Sequence, residues 1–232
     1  MYESNWARFG LLPHTKDSLV RNLTGWRRLL ARPLVTVLIP VEDATVRAQL
    51  IAWQDALRDW LPYAPMPPDQ LHITLHSAGV LSERWSWLLP HAWKRSDLAL
   101  LADRLRPAIA ACAPFEVRLG PLNAFSTVLL AEVQDESECL RALRIQVRRA
   151  LPRHARAVTQ RRFLPHVTLG YWGCQPVQPL VAALAPFRQV EPLPLLISRV
   201  RLTTYTRNAA PFGPDVLHTA IEEICAEFEL TG

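Results

Sequence analysis

Glycine is scarce in this chain, at 8 of 232 residues. That scarcity leaves no Gly-rich phosphate loop and no G-x-G-x-x-G dinucleotide fingerprint, since both use closely spaced glycines to bring backbone against a phosphate. Cysteine is thin as well: Cys112, Cys139, Cys174 and Cys225 stand far apart, with no C-x-x-C pair. Such spacing excludes a disulfide framework or a zinc ribbon and reads as reduced thiols packed as small apolar residues. No uncharged apolar run reaches the ~18 residues of a membrane span, and "MYESNWARFG" lacks a basic region followed by an apolar stretch and a cleavage site. The expectation is a soluble, unexported, cytoplasmic protein with no membrane partner. H-E-x-x-H and G-x-S-x-G are both missing, so zinc peptidase and serine hydrolase chemistry have no support.

What remains is ample for a core, because half the residues are hydrophobic. A formal charge of +5 fits a polyanionic partner such as RNA. Residues 1–33 mix Trp6, Trp26, prolines and basic residues, with at most one short helix in "DSLVRNLTGWRRLLA". They read as an N-terminal extension of unassigned role, and residues 34–232 as a single bilobal domain. "LVTVLIPV" (34–41) predicts a strand by its β-branched density, and apolar residues at Val46, Leu50, Trp53 and Leu57 then mark one helical face. "LHITLHSAG" follows as a second strand. The order repeats in "TVLLAEVQ" (127–134), in a helix with Leu140, Leu143, Val147 and Leu151 on one face, and in "RRFLPHVTLGYW". From strand start to histidine is 38 residues in the first unit (72 minus 34) and 39 in the second (166 minus 127). An internal duplication of strand, helix and strand accounts for that agreement. Each unit is followed by another helix and strand; Pro107 is expected to kink or divide the first of these helices, and "DVLHTAIEEICAEFEL" predicts a C-terminal helix. The fold expected is α+β: bilobal duplicated units with antiparallel-rich sheets flanking a central cleft.

The duplicated unit carries His-x-Thr-Leu both times, at His72 and Thr74 and at His166 and Thr168. This composition gives roughly 0.06 chance occurrences of that tetrapeptide, so two at equivalent positions point to a paired site rather than to two core histidines. Residues two apart in a strand share a face, so each strand presents an imidazole and a hydroxyl while Ile73, Leu75, Val167 and Leu169 face the core. Two imidazoles titrating near neutrality can serve as general acid and general base. Threonine hydroxyls can hold phosphoryl oxygens. The combination suits metal-free phosphodiester cleavage. A metal reading fails on geometry: His72 and His76 lie roughly 13 Å apart along an extended strand, and neither motif has a carboxylate cluster beside it.

With "PPDQLHITL" and "RRFLPHVTLGY" in place, and "PFEVRLGPLNAF" and "VLLAEV" between them, residues 34–206 resemble the 2H phosphoesterases. Within that superfamily they are similar to the bacterial 2′-5′ RNA ligase-like proteins, also called RNA 2′,3′-cyclic phosphodiesterases. The resemblance implies two lobes around a cleft, no cofactor, and a substrate that is an RNA terminus or a small nucleotide. It implies that a 2′,3′-cyclic phosphate opens to a 2′-phosphate, with His72 as acid, His166 as base, and Thr74 and Thr168 holding the phosphate; 2′-5′ RNA ligase activity is a further capacity of the family. Two alternatives stay open: the same site acting on 2′-5′-linked or cyclic oligonucleotides or ADP-ribose cyclic phosphate, and a non-catalytic nucleotide- or RNA-binding module. Where many members carry a basic residue after the first motif and an arginine after the second, this chain has His76 and Tyr171.

Further candidates have bland readings beside the functional ones. His76, on the His72 face, could contact phosphate or serve structure. Tyr171, on the alternate face, reads as packing. Phe125 could stack on a base or fill the core, and Trp172 could line the cleft mouth or pack. The Trp-rich segment 82–97 could cover substrate or form a satellite core. Arg141, Arg144 and Arg148 read as a solvated helix face; Arg161 and Arg162, just before the second motif, could meet a phosphate.

Overall fold

The computed structural model describes residues 1–17, 33–61, 65–83, 92–156, 163–206 and 221–232. Both duplicated units form as their patterns dictate. In the first, β1 (Leu34–Pro40) leads to helix α2 (Ala44–Ala56) and then to β2 (His72–Leu81). Asp43 starts α2 by accepting the Val46 N–H at 2.9 Å, which satisfies one of the orphan donors of the first turn. In the second unit β5 (Val128–Gln134), α4 (Cys139–Ala150) and β6 (His166–Tyr171) follow the same course. The helical faces bury Val46, Leu50 and Trp53 in one case and Leu140, Leu143 and Val147 in the other.

The helices change sides. α2 belongs by sequence to the first unit, yet it packs on β6 and on β7 (Leu193–Ile197). α4 belongs to the second unit and packs on β2 and on α3 (Asp97–Ala110). The remaining strands are the short β3 (Ala92–Trp93), β4 (Phe115–Ala124), β8 (Arg199–Thr206) and β9 (Ile221–Glu229). Among the described residues these make one sheet in the order β7-β4-β5-β6-β2-β1-β8-β9, with β3 beside β2. Every neighbouring pair on that path is antiparallel. Its two halves meet at one ladder pair, Ile73 opposite Val167, both fully buried.

Three expectations change. The C-terminal stretch is not a helix: residues 221–229 form strand β9, whose Glu227 and Glu229 sit opposite Arg201 and Arg199 and pair with them; residues 215–220 lie outside the described residues. Of the kink or division expected at Pro107, the division does not occur: α3 continues through it as one helix. Cys174 is exposed rather than packed, while the other three cysteines are half-buried and all four are free. The structure adds a helix absent from the sequence reading, α1 (Tyr2–Gly10), which rests on β4 and on α5 (Val177–Leu184). The short helix considered for residues 17–31 lies almost wholly outside the described residues.

Candidate active site

Antiparallel pairing at Ile73 and Val167 acts as a local two-fold axis. It sets His72 beside Thr168 and Thr74 beside His166 on the face opposite the core, which is the convergence the duplicated motif requires. A cavity of about 170 Å³ opens there, lined by His72, Thr74 and Ser77 from β2, Thr168 and Tyr171 from β6, Thr36 and Leu38 from β1, and Tyr205 from β8.

Both imidazoles are held the same way. His72 Nδ1 lies 2.7 Å from Gln70 O, and His166 Nδ1 lies 2.8 Å from Leu164 O, in each case the carbonyl two residues upstream. A carbonyl only accepts, so each ring carries its proton on Nδ1 and, while neutral, leaves Nε2 unprotonated. The His72 Nε2 stands 3.2 Å from Thr74 Oγ1. Burial lowers the affinity of both rings for a second proton; the carbonyls oppose this in part, and proximity to His166 lowers His72 further. Each imidazole has an aromatic neighbour. Phe125 meets His166 edge to face, with ring centroids 5.2 Å apart. Tyr205 leans over His72 at 6.2 Å and donates from its hydroxyl to Gln70 Oε1 at 2.8 Å.

Strict alternation breaks directly after each threonine. On β2, Leu38 pairs with Thr74 and Val37 with His76, so Leu75 is an extra, bulged residue. On β6, Leu130 pairs with Thr168 and Leu129 with Gly170, so Leu169 is extra in the same way. A bulge reverses which face the following residues take. His76 therefore turns into the core, 1% exposed and bonded through Nε2 to Ala155 O at 3.0 Å, and Ser77 takes its place in the cleft. Tyr171 turns into the cleft rather than away from it. Trp172 turns inward and is fully buried, its indole N–H donating to Phe125 O at 3.0 Å. His76 and Trp172 are thus not brought to the site, whereas Ser77, Tyr171 and Tyr205 are.

The bulges also explain Arg144, which is not simply solvated. Its Nε donates to Leu75 O at 3.1 Å, and its guanidinium lies 4.1 Å over the Phe163 ring. Gln54 does the corresponding work on the other side: its Nε2 donates to Leu169 O at 2.8 Å and to Met66 O at 2.9 Å. Each bulged carbonyl is capped from the helix of the opposite unit. Arg141 and Arg148 remain exposed. Trp93 is buried, donating to Ala78 O at 2.9 Å; Arg161, Arg162 and most of the Trp-rich segment (84–91) lie outside the described residues.

A two-lobed α+β fold with paired His-x-Thr strands across one seam defines a class of protein, and the comparisons agree with it. The family model for the 2′-5′ RNA ligase superfamily matches residues 36–209, and the chain belongs to that superfamily of phosphoesterases and ligases. Among solved structures it is similar to Escherichia coli LigT complexed with NADP+, at 20% identity and a TM-score of 0.54, over 87% of this chain and 99% of that one. It is also similar to TT0787 of Thermus thermophilus, at 23% identity and a TM-score of 0.54, over 86% and 98%. LigT complexed with phosphate gives 18% and 0.54, over 87% and 99%. These likenesses are of fold. No curated protein matches the chain. Among the described residues no helix is long and apolar enough to cross a membrane.

Proposed function

We propose that this protein is a two-histidine phosphodiesterase that opens a 2′,3′-cyclic phosphate on an RNA end or small nucleotide, leaving a 2′-phosphate, without a metal. The observation that carries the reading is the matched pair of imidazoles on one face of the seam, each held through Nδ1 by the carbonyl two residues upstream so that Nε2 is the nitrogen left for proton transfer. His166 takes a proton from water as the water oxygen bonds to phosphorus. The bond from phosphorus to the ribose 3′ oxygen breaks, and protonated His72 gives its Nε2 proton to that oxygen. Thr74 and Thr168 donate hydrogen bonds to the non-bridging oxygens, where charge builds in the transition state. A nucleotide phosphate as ligand gains support from LigT, solved with phosphate and with 3′-AMP.

Incubation with a 2′,3′-cyclic nucleotide should yield the 2′-monophosphate, in EDTA as well as without it. His72→Ala and His166→Ala should each lower kcat by about 10²- to 10⁴-fold. Because burial holds both imidazoles below 6.5, kcat/KM should rise and fall around a maximum on the acid side of that value. Activity that survives both substitutions would remove the histidines from the chemistry.

A further inference from the structure

Residues 1–17 precede the family match, which begins at residue 36, yet they hold the strands that carry the second motif. Tyr2 sits where β5 and β6 part. Its hydroxyl reaches Pro165 O and Val133 O, the latter at 2.9 Å, and accepts the Val133 N–H at 3.0 Å. Pro165 is the residue before His166, and Leu164 before it supplies the carbonyl that fixes the His166 ring. Glu3 pairs with Arg188, which also pairs with buried Glu132, the residue across β5 from His166. Asn5 donates to Ala124 O at 2.9 Å, and the Lys16 N–H donates to Ser126 O at 2.6 Å; these two acceptors flank Phe125, the ring set edge-on against His166.

The segment 163–165 needs such a brace. It borders a second cavity, of about 530 Å³, lined also by Tyr2, Arg144 and Ile145, so packing alone leaves it room to shift. Burial raises the Tyr2 phenol well above its usual range, which keeps the hydroxyl a neutral donor at every working pH. His72 receives its support differently, from Tyr205 and Gln70 on the body of the fold.

We infer that residues 2–17 are a positioning element for His166, with Tyr2 the residue that anchors the Pro165 carbonyl and, through the adjoining peptide, the Leu164 carbonyl on which the imidazole is oriented. The inference rests on the reading of His166 as catalytic, and its test has an arm that needs no substrate. In Tyr2→Phe the Leu164–Pro165 segment loses its anchor, so the His166 ring N–H, which donates to Leu164 O, should exchange with solvent at least about five-fold faster by NMR, while the His72 ring N–H keeps its wild-type rate. In the same variant kcat should fall roughly five- to ten-fold with KM within about two-fold, since orientation in the transition state is lost and ground-state binding is not. Ile109→Val, a core change on α3 that costs about 0.5–1.5 kcal/mol, should move neither readout. Asn5→Ala, which frees Ala124 without emptying the Tyr2 site, should show both changes in smaller measure. Wild-type exchange of the His166 ring N–H in folded Tyr2→Phe and Asn5→Ala overturns the positioning role. Faster exchange in a protein that opens no cyclic phosphate upholds the brace and rejects the catalytic reading alone.

Discussion

His76 donates from Nε2 to Ala155 O, and its buried Nδ1 accepts no hydrogen bond among the described residues. Burial chiefly lowers the proton affinity of this ring; the Ala155 carbonyl opposes that in part, and Arg144 and Arg148 lower it further. The sign for stability follows from the protons bound. Below the ordinary value of 6.5 the unfolded chain takes up a proton that the folded one refuses, so stability is full above that pH and declines as pH falls. His72 and His166 contribute in the same direction. In His76→Leu the loss of stability between about pH 7.5 and about pH 5.5, followed by urea unfolding, should shrink. Its kcat/KM at neutral pH should stay within about two-fold of wild type, since the ring meets no ligand. A large drop in kcat/KM with unchanged stability would return His76 to the site.

At the scale of the element, the bulges decide which side chains reach the cleft. Gln54 is 2% exposed and spends its side-chain amide on Leu169 O and Met66 O. Gln54→Leu keeps the volume and removes both bonds; Leu169 O keeps the Met66 N–H at 2.9 Å, while the Met66 carbonyl loses its side-chain donor, at about 1–3 kcal/mol. The urea midpoint should fall accordingly, and kcat/KM should fall by about ten-fold as Thr168, beside the bulge, loses its register. An unchanged urea midpoint would show that the bulge stands without Gln54. Gly170 belongs to the same device, because a Cβ there would come within 2.9 Å of Leu61 Cδ1. This is the level at which the sequence was least legible. Strand and helix periods are local and survive in the text, which is why β1, α2, β2 and their repeats could be read from it. A bulge is held by partners far away in the chain, and "HITLHS" and "HVTLGY" give no local sign that alternation stops at the leucine. The same cause disguised β9. Its extra residue at the Leu202/Thr203 shift, Cys225, stretches a two-residue repeat toward the three- and four-residue spacing of a helix.

Across the whole molecule, two similar halves are made inseparable by exchange. α2 and α4 each cover the strands of the other half and each cap its bulged carbonyl, so neither half keeps its own core when taken alone. The duplication was visible in matched spacings, because it is a property of the chain. The exchange was not, because it is a property of the packing. The four residues singled out by the repeated motif share one face across the seam, and three of them, His72, Thr74 and Thr168, line the cleft. Ser77, Tyr171 and Tyr205 join them only through tertiary structure.

The twin latches on Nδ1 also fix the proton inventory of the resting cleft. Two neutral imidazoles with unprotonated Nε2 atoms, that of His72 beside the Thr74 hydroxyl, amount to two bases and no acid. At neutral pH the chemistry proposed above is therefore one proton short until a ligand arrives. An anion seated beside His72 raises that ring's proton affinity and draws the missing proton from solvent. Calorimetric titration with a non-hydrolysable cyclic phosphate, in buffers of different ionisation enthalpy, should register about one proton taken up per ligand, and none in His72→Ala. On this account the substrate completes the active site by charging it.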